Sequence, residues 1–229
     1  MSRVPVSRAV FATVARVLQA GGVRVVFVGG ATVPLRVDLV AANGRVTDDI
    51  DCVVDAVNYA EYAALLERLR ALGFSDAPEE GVTCRMRLGS VVMDFMPRAN
   101  LPLAPSSPFF ERIWMEPDSL EVEPGLTIPV ARIGDLFATK VEAFLDRGAA
   151  DPYASKDLED LVTLLDGRAS LLDELDAARA EVRMAAGRWA SWMTARRDGE
   201  DLVAAWFWGP DAERRAATVW ALVKRLAAR

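Results

Sequence analysis

The spacing of apolar residues changes near residue 130, and this change constrains the fold of the 229-residue chain more than any other feature. Before it, the sequence carries short apolar runs of strand length, such as 23–28 and 91–95, between stretches with helical spacing. After it, only helical spacing recurs. We therefore predict an α+β protein, with a mixed β-sheet flanked by helices in a domain over 1–130 and a helical bundle in a second domain over 131–229.

The individual elements are predicted from apolar spacing together with glycine, proline and capping signals. The predicted strands are 23–28, 49–54, a hairpin of 83–88 and 90–96, and one or two edge strands within 120–130. The predicted helices are 7–20, 59–72, 133–147, 155–165 with Ser155 as N-cap, 171–193 and 211–229. A loop over 34–46 joins the first two strands.

Composition excludes several kinds of site. The chain has no histidine, which removes catalytic pairs and zinc sites that depend on imidazole, and its two cysteines are too few for a disulfide framework. A formal charge of -6 argues against a surface that binds nucleic acid everywhere, although a local arginine-rich groove is compatible with it. No apolar run approaches the roughly 20 residues of a bilayer span, and the first residues carry no signal-peptide pattern. We therefore expect a soluble, cytoplasmic protein with no membrane partner.

Three aspartates stand out because they interrupt apolar strands. Side chains two apart on a strand point the same way, so Asp49 and Asp51 should project together while Ile50 faces the other side. Asp94 interrupts the apolar run of the later hairpin, where an ionised carboxylate is costly unless it is paired or coordinated. Three carboxylates on neighbouring strands would suit Mg²⁺ or Mn²⁺, and two such ions can support in-line phosphoryl displacement.

The ordinary alternative for these residues is that Asp48, Asp49 and Asp51 form a solvated turn and that Asp94 lies at a strand edge. A Gly29-Gly30 turn directly after the first strand favours a metal site for phosphoryl transfer instead, because the backbone N–H groups of the turn could hold phosphates. Whether Asp48 is a ligand or a bystander stays open at this point.

Taken together, these segments resemble the signature of the DNA polymerase beta-type nucleotidyltransferase superfamily. The resemblance rests on Gly29-Gly30, Arg45–Asp51 and Met93-Asp94-Phe95. Two later segments, Asp135–Lys140 and Lys156–Leu161, are similar to motifs of its AbiEii-type branch, the toxin half of type IV abortive-infection toxin–antitoxin pairs. The chain departs from the pattern at Gly30, where many members have serine, and in the long stretch between Gly30 and Thr47.

The resemblance implies a role for each matched residue. Asp49, Asp51 and Asp94 would hold the metal ions, and Asp94 would also act as, or orient, the base. Lys140 and Asp157 would complete the catalytic set. The implied nucleotide-binding residues are Gly29, Gly30, Arg45, Thr47, Lys140, Lys156 and Asp160. For Lys156 an i, i+4 surface ion pair with Asp160 is an equal alternative.

The predicted function is transfer of a nucleoside monophosphate from a nucleoside triphosphate to an acceptor, with an RNA such as tRNA implied as that acceptor and a cognate antitoxin implied as a partner. Two alternatives stay open: a small-molecule nucleotidyltransferase of the aminoglycoside-modifying type, and a catalytically silent nucleotide-binding domain. The presence of all three aspartates together with Lys140 argues against the silent domain, because a silent site would have no need of a costly cluster of like charges.

Overall fold

The computed structural model describes residues 5–38, 46–77, 83–102 and 104–229. These residues form two compact units, one of 5–35 with 46–132 and one of 36–38 with 133–229. The first unit holds every described strand and the second is helical, which confirms the α+β class. The division into domains 1–130 and 131–229 stays a prediction.

The described part of the first unit contains a seven-stranded mixed sheet in the order β3-β4-β5-β2-β1-β7-β6. Its strands are Val26–Val28 (β1), Asp49–Val54 (β2), Ser75–Asp76 (β3), Arg85–Leu88 (β4), Val91–Pro97 (β5), Asp118–Glu123 (β6) and Leu126–Val130 (β7). β2 pairs with β5 and β1 with β7 in parallel, whereas the other neighbours are antiparallel. β2 therefore lies at the centre of the sheet, with β5 on one side and β1 on the other.

Helices Arg8–Ala20 (α1), Tyr59–Ala71 (α2) and Phe110–Met115 (α3) belong to the same unit. Ser7 and Asn58 cap α1 and α2 by accepting backbone N–H groups of their first turns, as expected of N-cap side chains. The core contains edge-to-face aromatic pairs, Phe11 with Phe27 at 5.2 Å and Phe74 with Phe95 at 5.5 Å between ring centroids.

The second unit consists of helices joined by short connections. They are Ile133–Ala143 (α4), which continues into a π-helical turn over Phe144–Gly148, then Lys156–Gly167 (α5), Leu171–Ala177 (α6), Ala180–Thr194 (α7), Gly199–Ala204 (α8) and Ala212–Ala227 (α9). Ser155 is the N-cap of α5 and accepts the Leu158 N–H at 3.3 Å, as predicted. Phe137 stacks edge to face with the fully buried Trp189 at 5.7 Å, which joins α4 to α7.

The predicted helix over 171–193 is wrong, because two helices occupy this segment. Ala178 and Arg179 both adopt extended backbone angles between α6 and α7. Neither residue signals a break, since alanine and arginine are good helix formers. The break coincides with a tertiary contact: a Cβ on Gly134 would lie 3.5 Å from Ala178 and 3.3 Å from Val182. Close packing with α4 therefore accompanies the change of chain direction.

Other differences are smaller. β7 lies inside the sheet between β1 and β6, so the edge-strand prediction is right only for β6. The sequence patterns missed α3, α8 and a 3₁₀ helix over Gly30–Leu35 within the predicted turn and loop. The remainder of that loop, 39–45, lies outside the described residues. None of the helices that the structure describes combines the length and apolarity needed to cross a membrane.

Candidate active site

The pairing of β2 with β5 places the three predicted aspartates on one face of the sheet. Asp51 is the direct register partner of Asp94, and Asp49 is the partner of Val92, two residues before Asp94. Directly paired residues share a face, as do residues two apart, whereas Ile50 is fully buried on the other side. Asp94 is 8% exposed, Asp49 and Asp51 are half-buried, and the neighbouring Asp48 is exposed.

Arg85 on β4 contributes a cation to this site, and the sequence reasoning did not identify it. Its Nε donates to Asp94 Oδ1 and its Nη2 to Asp94 Oδ2, both at 2.8 Å. Nη2 also donates to Asp49 Oδ2 at 3.1 Å. Hydrogen bonding to Asp94 is the main cause of the raised pKa of Arg85, so the guanidinium stays charged. We define the acidic cluster as Arg85, Asp49, Asp51 and Asp94.

A signal for Arg85 was present in the sequence. Arg85 lies within the predicted hairpin, where it is the register partner of Asp94 across the turn. Cross-strand partners of opposite charge are a recurrent pairing in antiparallel sheets. A search of the hairpin for a cation opposite Asp94 would have found it.

Gly29 approaches the acidic cluster more closely than any side chain would permit. A Cβ at this position would lie 1.9 Å from Asp51 Oδ2, and the residue has a φ of +78°. Glycine is therefore required both by the backbone conformation and by the space that Asp51 occupies. The Gly29 carbonyl accepts the Thr32 hydroxyl at 2.8 Å, which ties the turn to the 3₁₀ helix that begins at Gly30.

The other residues predicted near the phosphates are placed as follows. Gly30 is buried at the start of the 3₁₀ helix, and Thr47 is buried at 5% exposure while its carbonyl accepts the Val6 N–H at 2.9 Å. Arg45 lies outside the described residues.

The two cysteines lie beside the acidic cluster without contributing a reactive group. Cys52 Sγ donates to the Asp94 carbonyl at 3.5 Å, and burial raises the pKa of this thiol well above its ordinary value. Burial likewise raises the pKa of Cys84 to about 12. Both thiols are therefore protonated at neutral pH, which argues against thiolate chemistry here.

The donor atoms of the acidic cluster suit a hard divalent cation, since they are carboxylate oxygens. Their arrangement does not fit one as it stands, because Arg85 engages both oxygens of Asp94 and one oxygen of Asp49. Across the described ranges, no three cysteine, aspartate or glutamate side chains are grouped so that they could hold a metal ion.

In the second unit, Lys140 on α4 is held by two aspartates of α5. Its Nζ lies 3.0 Å from Asp157 Oδ1 and 2.6 Å from Asp160 Oδ2. Arg147, from the π-helical turn, donates to Asp157 Oδ2 at 2.9 Å. We define the lysine cluster as Lys140, Arg147, Asp157 and Asp160. Lys140 and both aspartates are buried, whereas the Arg147 side chain is 61% exposed.

This arrangement changes the interpretation of the start of α5. Asp160 turns inward to Lys140 and is 1% exposed, whereas Lys156 is exposed. The alternative of a surface ion pair between Lys156 and Asp160 is therefore wrong for Asp160, which is buried. Asp157 and Asp160 are three apart on a helix and so share the face that meets α4.

Comparison with known proteins yields a family match and several similar structures. The family model described as the nucleotidyl transferase AbiEii toxin of type IV toxin–antitoxin systems matches residues 13–219. No curated protein matches the chain significantly.

Three solved structures are similar over most of the chain. An antigenic nucleotidyltransferase-like protein from Paracoccidioides brasiliensis aligns with a TM-score of 0.56 and 17% identity, covering 88% of this chain and 95% of its own. JHP933 from Helicobacter pylori aligns with a TM-score of 0.51 and 14% identity, covering 95% and 90%. The antibiotic-resistance factor ANT(2'')-Ia aligns with a TM-score of 0.49 and 14% identity, covering 82% and 96%.

Proposed function

Because the chain belongs to the family of AbiEii nucleotidyltransferase toxins of type IV toxin–antitoxin systems, we propose that it transfers a nucleoside monophosphate to an RNA acceptor, with tRNA as the first candidate. Membership of the family implies a nucleoside triphosphate substrate and a cognate antitoxin. The observation that carries the proposal is the register of β2 with β5, which places Asp51 beside Asp94 and Asp49 on the same face.

The proposed reaction is an in-line displacement at the α-phosphorus. An acceptor hydroxyl gives its proton to the Asp94 carboxylate, and its oxygen forms a bond to the α-phosphorus. The bond from the α-phosphorus to the bridging oxygen breaks, and pyrophosphate leaves. Asp94 suits this role because its place on β5 sets it directly beside Asp51 of β2. Gly29, Gly30 and Thr47 are proposed to contact the triphosphate.

Nucleotidyltransferases of this kind generally use divalent metal ions. We include Mg²⁺ or Mn²⁺ on Asp49, Asp51 and Asp94 in the proposal, and a bound ion would stabilise negative charge on the phosphoryl oxygens.

Nucleotide binding by Lys140 and Lys156 remains part of the proposal, whereas Asp157, predicted as catalytic, and Asp160, predicted as nucleotide-binding, are assigned a positioning role. Lys140 would contact nucleotide phosphates, and Lys156 would bind the nucleotide from its exposed position on α5. Asp157 and Asp160 would act by fixing the Lys140 ammonium, since both carboxylates form ion pairs with it. They are thus positioning residues in the proposed reaction.

The test is transfer of label from each α-³²P nucleoside triphosphate to total tRNA in the presence of Mg²⁺, resolved on a gel. Wild-type protein is expected to label RNA, whereas Asp49→Ala and Asp51→Ala variants are not. Asp55→Asn is the matched control, because Asp55 follows the same strand but is exposed and pairs with Arg98. Absence of RNA labelling with every triphosphate would overturn the proposed acceptor.

A further inference from the structure

Arg85 contacts three of the carboxylate oxygens that are proposed to hold a divalent ion. The guanidinium makes a two-pronged contact with Asp94 and a third hydrogen bond to Asp49, within the set of residues proposed as metal ligands. A cation between these carboxylates would lie beside a second positive charge, and the two would repel each other. Binding of Arg85 and of a divalent ion to these carboxylates at the same time is therefore unfavourable.

We propose that Arg85 is a resident counter-cation that competes with the divalent ion, so that metal binding requires the guanidinium to leave Asp94. The inference rests on the proposed function, since the metal is the one that would serve nucleotidyl transfer. Three aspartates packed on one face repel each other in the absence of a cation, and Arg85 offsets part of that repulsion. Binding of the ion replaces one cation by another, so the repulsion among the aspartates is offset at least in part in both states.

The contacts of Arg85 permit such an exchange. The pair with Asp94 is well enclosed, at 8% and 11% side-chain exposure, but the Asp49 side chain is 34% exposed. An ion can therefore reach Asp49 from solvent before the guanidinium has left Asp94. Metal binding and release of Arg85 can then proceed stepwise.

The first experiment measures Mn²⁺ affinity by isothermal titration calorimetry with wild-type protein and three variants. Arg85→Gln removes the competing charge and is expected to bind Mn²⁺ at least about fivefold more tightly, the lower end of typical coupling between sites. Arg85→Lys keeps the charge but loses the two-pronged contact, so its affinity should lie between the two. Arg98→Gln should match wild type, because Arg98 also bridges two carboxylates, Asp55 and Glu111, outside the acidic cluster.

Equal or weaker Mn²⁺ binding by Arg85→Gln would overturn the competition. If that variant does not fold, an NMR titration of the wild-type protein tests the same proposal. The Arg85 Nε–H signal, assigned from its loss in Arg85→Lys, is followed by NMR during a Mg²⁺ titration. Its exchange with water should speed up as Mg²⁺ saturates the protein, with the Arg98 Nε–H unchanged as an internal reference. An unchanged Arg85 signal at saturation would contradict the proposal.

Failure of this inference and failure of the proposed function give different results. Labelling of RNA reports nucleotidyl transfer whether or not Arg85 competes with the metal. Labelling without a change of Mn²⁺ affinity in Arg85→Gln would reject only the role of Arg85. Tighter Mn²⁺ binding without labelling would support the competition while rejecting the RNA acceptor.

Discussion

The acidic cluster and the lysine cluster both bury a cation among aspartates, yet they differ in charge balance and exposure. In the acidic cluster one positive charge, on Arg85, faces three negative ones, and Asp49 is partly open to solvent. In the lysine cluster, Lys140 and Arg147 balance Asp157 and Asp160, and neither aspartate is more than 7% exposed.

We infer from this difference that buried charge stabilises the fold in the lysine cluster and serves binding or catalysis in the acidic cluster. The charges of the lysine cluster are balanced, so removal of its buried cation, Lys140, leaves two buried aspartates without their shared partner. Among the described residues that define it, the acidic cluster carries three negative charges and one positive charge, a balance that favours binding of a further cation. Sites with such closely spaced like charges are commonly those where binding or catalysis takes place. Substitution of an aspartate of the acidic cluster should therefore lower nucleotidyl transfer with little effect on stability, whereas substitution of Lys140 in the lysine cluster should lower the stability of the protein.

The strongest contrast is expected for Asp51→Asn. Nucleotidyl transfer should fall by about 10³-fold, because loss of a metal ligand removes several kcal/mol of charge stabilisation in the transition state. The free energy of unfolding should change by less than about 1 kcal/mol, since relief of repulsion offsets the lost attraction to Arg85. Label transfer and urea unfolding measure the two quantities. A large loss of stability would show that the acidic cluster is structural.

Lys140→Met is expected to destabilise the protein by about 3–5 kcal/mol, because it leaves two buried aspartates without their shared cation. Urea unfolding measures the effect. Lys156→Met is the control for stability, since Lys156 is exposed at the start of α5, and it should cost no more than about 0.5 kcal/mol. Unchanged stability of Lys140→Met would remove the distinction between the two clusters.

Gly29→Ala tests how closely the backbone must approach the acidic cluster. Transfer should fall by about 100-fold, because the new Cβ would displace Asp51 by an ångström or more. Gly125→Ala is the matched control: Gly125 has a φ of +77° against +78° at Gly29, but nothing lies within 4 Å of its Cβ position. The control carries the conformational cost alone, so equal activities of the two variants would exclude a steric requirement at Gly29.

The smallest effect is expected for Arg147→Gln. Arg147 pairs with Asp157 from a largely exposed position, so its removal should lower the free energy of unfolding by less than about 1 kcal/mol. Urea unfolding beside Lys140→Met gives the comparison. A loss as large as that of Lys140→Met would show that both cations of the lysine cluster are equally required.

The common face of Asp49 and Asp51 followed from the sequence, because a period of two fixes which side chains share a face of a strand. Helices α1, α2, α5 and α9 were predictable for a similar reason, since apolar spacing and capping residues mark them. Arg85 was not found because its role depends on the register of the β4–β5 hairpin, and a cation opposite Asp94 becomes visible only once that register is assigned. Lys140 was singled out, but nothing local shows that Asp160 turns inward to meet it.

The break between α6 and α7 illustrates the same limit. Ala178 and Arg179 carry no local stop signal, and close packing near Gly134 accompanies the break. Local propensity predicts a continuous helix there, and tertiary contacts override it.

The parallel pairing of β1 with β7 determines when the sheet is completed during synthesis. Phe27 finds its partner only at Val130, so β1 lacks its outer neighbour until about a hundred further residues have left the ribosome. Pairing between β2 and β5 involves earlier residues, so the aspartates can come together while that edge is still open. We therefore expect a nascent chain with an exposed strand edge, the kind of intermediate that invites association with other strands or protection by a chaperone.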